Sequence, residues 1–212
     1  MDYKIIHNIK ESQEWGKTYF DNWMEEFQVG GEFRGEPECM KSLYTGTDER
    51  WATASAFEWY CGHWAANIND YMRTGFAWMG VEKKCQELIL LIMKEINKHE
   101  IPENIQVTRY LNIEKYYDVK KFKIGSTFED QAFVSTCLCD ESFREERTNQ
   151  FKMNILVPKG TKGIYLDFIS NRRDEQEILL NPCKFEIVSI KRTIFGKLKE
   201  LTVKVVDQKE VF

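Results

Sequence analysis

The spacing of apolar residues changes midway along the chain, and that change restricts the fold more than any single motif. In the first half apolar side chains recur about every four residues, the mark of amphipathic helices. Trp15, Tyr19, Trp23 and Phe27 form one such stripe, read as core. A second helix is predicted over about 50–75, and a third from Val81 to Lys98 with Val81, Cys85, Leu88, Ile89, Ile92 and Ile96 on one face. Pro102 follows just beyond its end. In the second half the pattern alternates. Strands are predicted at 105–111, 132–138, 151–157, 163–169, 177–180 and 184–190, with a final pair flanking Gly196 at about 191–195 and 199–206. Helices first and strands second predict an α+β fold, since alternating βαβ units are missing. With 212 residues, 42% of them hydrophobic, the chain is read as one domain, helical over about 1–100 and β-rich over 101–212.

Several function classes are set aside at this level. The net charge of −4 offers no electrostatic case for nucleic acid. The longest apolar run, LILLIM at 88–93, is far short of a membrane span, so no membrane partner is expected. The N-terminal MDYKIIHNIKESQEW has no apolar core of a signal peptide, which predicts a cytoplasmic protein or entry into a host cytosol by a non-classical route. Neither GxGxxG nor GxxxxGK occurs, which argues against Rossmann and P-loop chemistry. The Cys-x-Cys at Cys137 and Cys139 has no second pair at ligand spacing, and the chain holds only three histidines, so no metal is expected. The scattered six cysteines read as reduced, and the chain as a monomer.

The chemistry-bearing candidates lie in the β-rich half. DEQEILL at 174–180 places Glu175 and Glu177 one residue apart. In an extended strand such residues point to the same side, where two carboxylates repel unless both are used. Arg109 lies in VTRYL and Ser135-Thr136 in FVSTC. Each alone reads better as an ordinary strand residue than as a functional one.

Taken in order, these segments resemble the Arg-Ser-Glu class of mono-ADP-ribosyltransferases, in particular bacterial ADP-ribosylating exoenzymes and the enzymatic components of actin-modifying binary toxins. EWGKTYFDNWMEEF is similar to their opening helix, INDYMR at 68–73 to their Ile-Asn-x-x-Leu-Arg motif, and IPENIQVTRY to the segment carrying the first arginine. TFEDQAFVSTC, VPKGTKGIYLDFIS and EQEILLNPCKFEIVSI follow in the family's order.

The resemblance implies a fold of N-terminal helices packed on two antiparallel or mixed sheets around a central NAD cleft, with NAD as co-substrate. Arg109 would bind the NAD pyrophosphate, for which an arginine fork is suited. Asn69 and Arg73 would hold it from the helix side, and Thr136 would join Ser135 at the cofactor. Glu177 would stabilise the cationic sugar of the transition state, as carboxylates do in glycoside hydrolysis. Ser135 would orient Glu177 through a hydrogen bond. In this family a glutamate at the position of Glu175 goes with an arginine acceptor, so a target protein modified on arginine is implied. An NAD glycohydrolase using the same cleft with water as acceptor is the alternative.

Three departures stand out. Cys137 replaces the motif's second serine. The substrate-recognition loop carries Arg172 and Arg173 before Glu175, where the toxins usually place an aromatic residue; this puts actin in doubt as the target. The family's Tyr-Thr-Gly lies about nine residues before the Asn, whereas here YTG stands at 44–46 and YCG at 60–62. Either Tyr44 belongs to an insertion or Tyr60, favoured by spacing, serves the adenosine side. The stretch 47–59 is read as extra core or a partner surface.

Overall fold

The computed structural model describes residues 2–28, 49–139, 151–167 and 176–209; the side chains of 24–28, 49–51 and 63 lie outside the description. Helix α1 spans Ile9–Gln28. Asn8 caps it, accepting from the Glu11 amide at 2.9 Å while Glu11 accepts from the His7 amide at 3.0 Å. Of the predicted stripe, the Phe27 side chain lies outside the described residues, and the other three divide. Trp15 and Trp23 are buried, but Tyr19 is 46% exposed, its ring edge-on to Trp15, and Phe20 takes the core place instead.

The predicted second helix is interrupted. Helix α2 (Glu49–Trp59) passes into a π-helical turn at Tyr60–Trp64 and resumes as α3 (Ala65–Thr74). The break falls at Gly62, whose ψ of −130° no helix accommodates. Ala54, Ala56 and Phe57 are fully enclosed, so the described part of the 47–59 stretch contributes to the core. Gly75 ends α3 in the left-handed conformation, its amide donating to the Tyr71 carbonyl at 2.7 Å. Helix α4 (Glu82–Ile96) buries Cys85, Leu88, Ile92 and Ile96, as its periodicity predicts.

Nine strands follow or flank the helices among the described residues: β1 (Lys4–Ile5), β2 (Ile105–Leu111), β3 (Thr127–Asp130), β4 (Val134–Cys137), β5 (Phe151–Val157), β6 (Gly163–Tyr165), β7 (Glu177–Leu180), β8 (Cys183–Arg192) and β9 (Leu198–Gln208). β1 and β3 have no counterpart in the predicted strands. The separate strand expected at 191–195 is instead the end of β8 and its turn. Two sheets were expected; the strands form one hydrogen-bonded path, β3-β8-β9-β5-β2-β4-β7-β6, with β1 beside β2. The reason is a single register pair, Thr108 with Cys137, which joins β2 to β4. Seven pairs hold β2 to β5 on its other side. The two halves are therefore joined through few backbone pairs, Thr108–Cys137 and the isolated Ile6–Cys139 bridge beside β1, and they part beside them. α+β architecture with a mixed sheet holds: β1–β2 and β5–β9 are parallel, the remaining ladders antiparallel.

Candidate active site

A cleft of about 300 Å³ opens where the sheet halves part. Asn69 and Arg73 line it from α3, Thr108 and Arg109 from β2, and Ser135, Thr136 and Cys137 from β4. One cross-strand row runs from Thr108 through Cys137 to Glu177 on β7. Directly paired residues point to one face of a sheet, so this row sets Glu177 beside the cleft wall.

Two guanidinium groups meet on one buried carboxylate. Arg73 donates from Nε and Nη2 to the two oxygens of Asp130, both at 2.9 Å, and Arg109 donates from Nη1 to Asp130 Oδ2 at 3.0 Å. The Ala132 amide adds a bond at 3.1 Å. Burial works against an ionised Asp130, but Arg109 and Arg73 outweigh it and hold the carboxyl below the usual carboxylate range. The Arg73 guanidinium also lies 4.3 Å from the centre of the Tyr116 ring. Gly75 stops α3 just after Arg73, which keeps this side chain in the last turn and aimed across the cleft. Two guanidinium groups share one carboxylate here, and arginine forks fit a phosphate-bearing ligand. Asn69 contributes a buried Oδ1 with no hydrogen-bond partner among the described residues, a polar atom available to a ligand.

Glu177 opens β7 and is only 5% exposed. Ile178, Leu179 and Leu180 behind it are fully buried and anchor it in the core. Gln176, immediately before, has φ of 48°. For a non-glycine residue this left-handed conformation costs on the order of 1 kcal/mol. The surroundings enforce it. The Gln176 side chain accepts from the Tyr165 hydroxyl at 2.7 Å and donates to Asp167 at 2.8 Å, and its carbonyl accepts from the Leu138 amide at 3.0 Å. The turn corrects one sequence expectation. The strand expected to carry both acids begins only at Glu177, after the left-handed Gln176, and the Glu175 half of the expected pair lies outside the described residues. Glu175, Arg172, Arg173 and Tyr44 lie outside the described residues.

The other predicted residues fall in and around the cleft with different tasks. Ser135 lines it, and the register sets Cys137 opposite Glu177 and Ser135 opposite Leu179, leaving the serine on the diagonal from Glu177. The Thr136 hydroxyl donates to the Ile178 carbonyl at 2.8 Å, tying β4 to β7. Tyr60 is buried behind the lining, its ring edge-on to Phe133 and its hydroxyl accepting from Asn69 at 3.0 Å. Burial first, and the Glu177 charge next, push its phenol up. Tyr60 therefore supports Asn69 from behind and is not among the residues that line the cleft. Sequence reasoning missed Asp130, Tyr116 and Gln176. Asp130 lay within a quoted motif, and an acid at the end of a β-leaning run before buried Ala132 and Phe133 was the available signal. No group of metal-ligating side chains occurs among the described residues.

The family model for the ADP-ribosyltransferase exoenzyme matches residues 12–210. Among solved structures, Plx2a, an ADP-ribosyltransferase toxin from Paenibacillus larvae, superposes with a TM-score of 0.70 at 18% identity, covering 97% of this chain and 100% of its own. The C3 exoenzyme of Clostridium limosum gives 0.68 at 19% identity, covering 98% of both chains. BECa, the ADP-ribosylating toxin of a C. perfringens binary enterotoxin, solved with NADH, gives 0.72 at 16% identity over 97% of this chain and 50% of its own. These structural likenesses carry the fold alone. No match is found among curated protein sequences. Because the family model covers the chain almost end to end, this protein belongs to the ADP-ribosyltransferase exoenzymes, a family of bacterial mono-ADP-ribosyltransferase toxins.

Proposed function

We propose that the protein transfers ADP-ribose from NAD to an arginine side chain of a target protein. The observation that carries this reading is the placement of Glu177, buried at the start of β7 beside a cleft whose wall holds the guanidinium groups of Arg73 and Arg109. Arg109 and Arg73 bind the pyrophosphate, Asn69 accepts a hydrogen bond from a ligand hydroxyl at its Oδ1, and Ser135 and Thr136 flank the ligand on β4. BECa, of the same fold, was solved with NADH. Glu177 faces the ribose. As the bond between ribose C1′ and the nicotinamide nitrogen breaks, the electron pair leaves with nicotinamide and positive charge grows on the sugar. A fixed carboxylate in a partly dried site stabilises that charge.

The acceptor follows from Glu175. A guanidinium attacks only as it loses a proton, and a carboxylate two residues from Glu177 orients it and takes that proton. One guanidinium nitrogen then bonds to C1′, and the proton passes to Glu175. Arg172 and Arg173 would meet the target beside the same loop.

Incubation with labelled NAD and a host lysate tests both parts. Wild type should label a protein band, Glu175→Gln should lose the label yet release nicotinamide, and Glu177→Gln should lose both. Peptide mass spectrometry assigns the acceptor; ADP-ribose on asparagine would overturn the arginine assignment. Nicotinamide release with no labelled protein would favour an NAD glycohydrolase.

A further inference from the structure

The hairpin joining β8 to β9 ends in two adjacent apolar side chains, Ile194 and Phe195, 94% and 91% exposed. The tip is built, not loose. The Thr193 amide donates to the Lys197 carbonyl at 2.8 Å and the Gly196 amide to the Thr193 carbonyl at 2.9 Å, with Gly196 in the left-handed conformation such a turn requires. This closed turn holds Ile194 and Phe195 out as a wedge. Exposed Lys191, Arg192, Lys197 and Lys199 ring its base, offset by Glu200, which pairs with Lys191 at 2.8 Å. Arg192 also reaches the Val119 carbonyl at 3.4 Å, which brings the exposed Lys120 alongside. A basic collar of this kind runs against the net charge of −4 of the chain.

We infer that this hairpin docks the protein on an anionic lipid surface, with Ile194 and Phe195 entering the acyl boundary and the collar on the headgroups. Stable surface binding takes an apolar insertion together with basic charge, and both are present at one tip. Lysine dominates the collar, and lysine is depleted in the buried centres of protein interfaces, which favours lipid over an acidic protein. The absence of a spanning segment, from which no membrane partner was expected, does not bear on docking of this kind. Registers place the tip at a telling end of the sheet. Leu111 pairs with Phe151, and Lys152 with Glu200, so the hairpin lies at the end where β2 delivers Leu111 to the cleft. Docking would hold the cleft near the membrane surface. The inference stands apart from the choice of acceptor.

Co-sedimentation of the full chain with phosphatidylcholine vesicles, with and without about one third phosphatidylserine, tests it. The protein should pellet with the anionic vesicles only, and less as salt rises. The Ile194→Ser/Phe195→Ser and Lys197→Glu/Lys199→Glu variants should each bind roughly tenfold more weakly, with melting temperature and nicotinamide release unchanged. Equal pelleting with both vesicle types, no pelleting, or a tip variant that binds like wild type overturns the inference. If the tip variants abolish self-association in sedimentation velocity and leave vesicle binding unaltered, the occupant is a second copy and the inference fails.

Discussion

Arg109 donates to Asp130 at 3.0 Å, into a carboxylate that Arg73 already grips with two nitrogens. The arginines come from elements far apart in sequence, α3 and β2, so Asp130 is what brings them together. All three side chains are largely shielded from water. Asp130→Asn keeps the size and removes the charge, leaving two buried cations without their partner. We predict a stability loss of about 3–5 kcal/mol. As a positioning residue, Asp130 should raise the KM for NAD more than it lowers kcat, and Asp130→Glu should recover part of the loss. Unchanged melting and KM in Asp130→Asn would sink the idea.

Glu177→Gln tests the electrostatic role with little change in packing, since the side chain is buried and isosteric. Losing a preorganised group at developing charge lowers kcat by roughly 10²–10³-fold. Nicotinamide release should fall by that factor while the melting temperature stays near wild type. A variant that cleaves NAD at the wild-type rate would remove Glu177 from the mechanism.

Gly16 reaches the site through packing. A Cβ there would sit within 2.6 Å of carbons of the Tyr165 ring. Tyr165 is itself buried and bonds Gln176, the left-handed residue before Glu177. Gly16→Ala should therefore destabilise by about 1–3 kcal/mol and also lower kcat, because the ring can move only by disturbing the turn into β7. Thermal unfolding with steady-state kinetics reads both; a stable, fully active variant would contradict this coupling.

Glu95 ties α4 to α1. It is buried and accepts from the Trp23 indole at 3.0 Å, from Lys98 at 2.6 Å and from His99 at 3.2 Å. Burial disfavours its charge, yet His99 and Lys98 hold the carboxyl below its ordinary value. A carboxylate lowered in the folded state stabilises fully above its unfolded pKa, about 4.3, and loses that contribution as pH falls through the folded value. Wild type should keep this increment at neutral pH and shed it below about pH 4. Glu95→Ala should cost about 1–3 kcal/mol at pH 7 and show a flatter acid limb in denaturant melts taken across pH. A parallel acid limb would mean Glu95 does not carry it.

Element type was legible where local periodicity and burial agree. β2, β5 and β7 begin and end where the alternating runs do, and the buried face of α4 is the one its spacing marks. Tyr19 and the break at Gly62 were not legible, because both depend on which neighbours a helix face meets. The family and the ordered candidates Asn69, Arg73, Arg109, Ser135 and Glu177 were legible because motif residues keep their order along the chain whatever the fold does with them. Tertiary structure alone decided how they meet. The short Thr108–Cys137 pairing leaves the sheet halves free to part, Asp130 gathers two arginines from separate elements, and a left-handed Gln176 turns the chain into Glu177. Each is a contact between residues distant in sequence or a conformation imposed from outside the segment, and such relationships leave no local pattern to read.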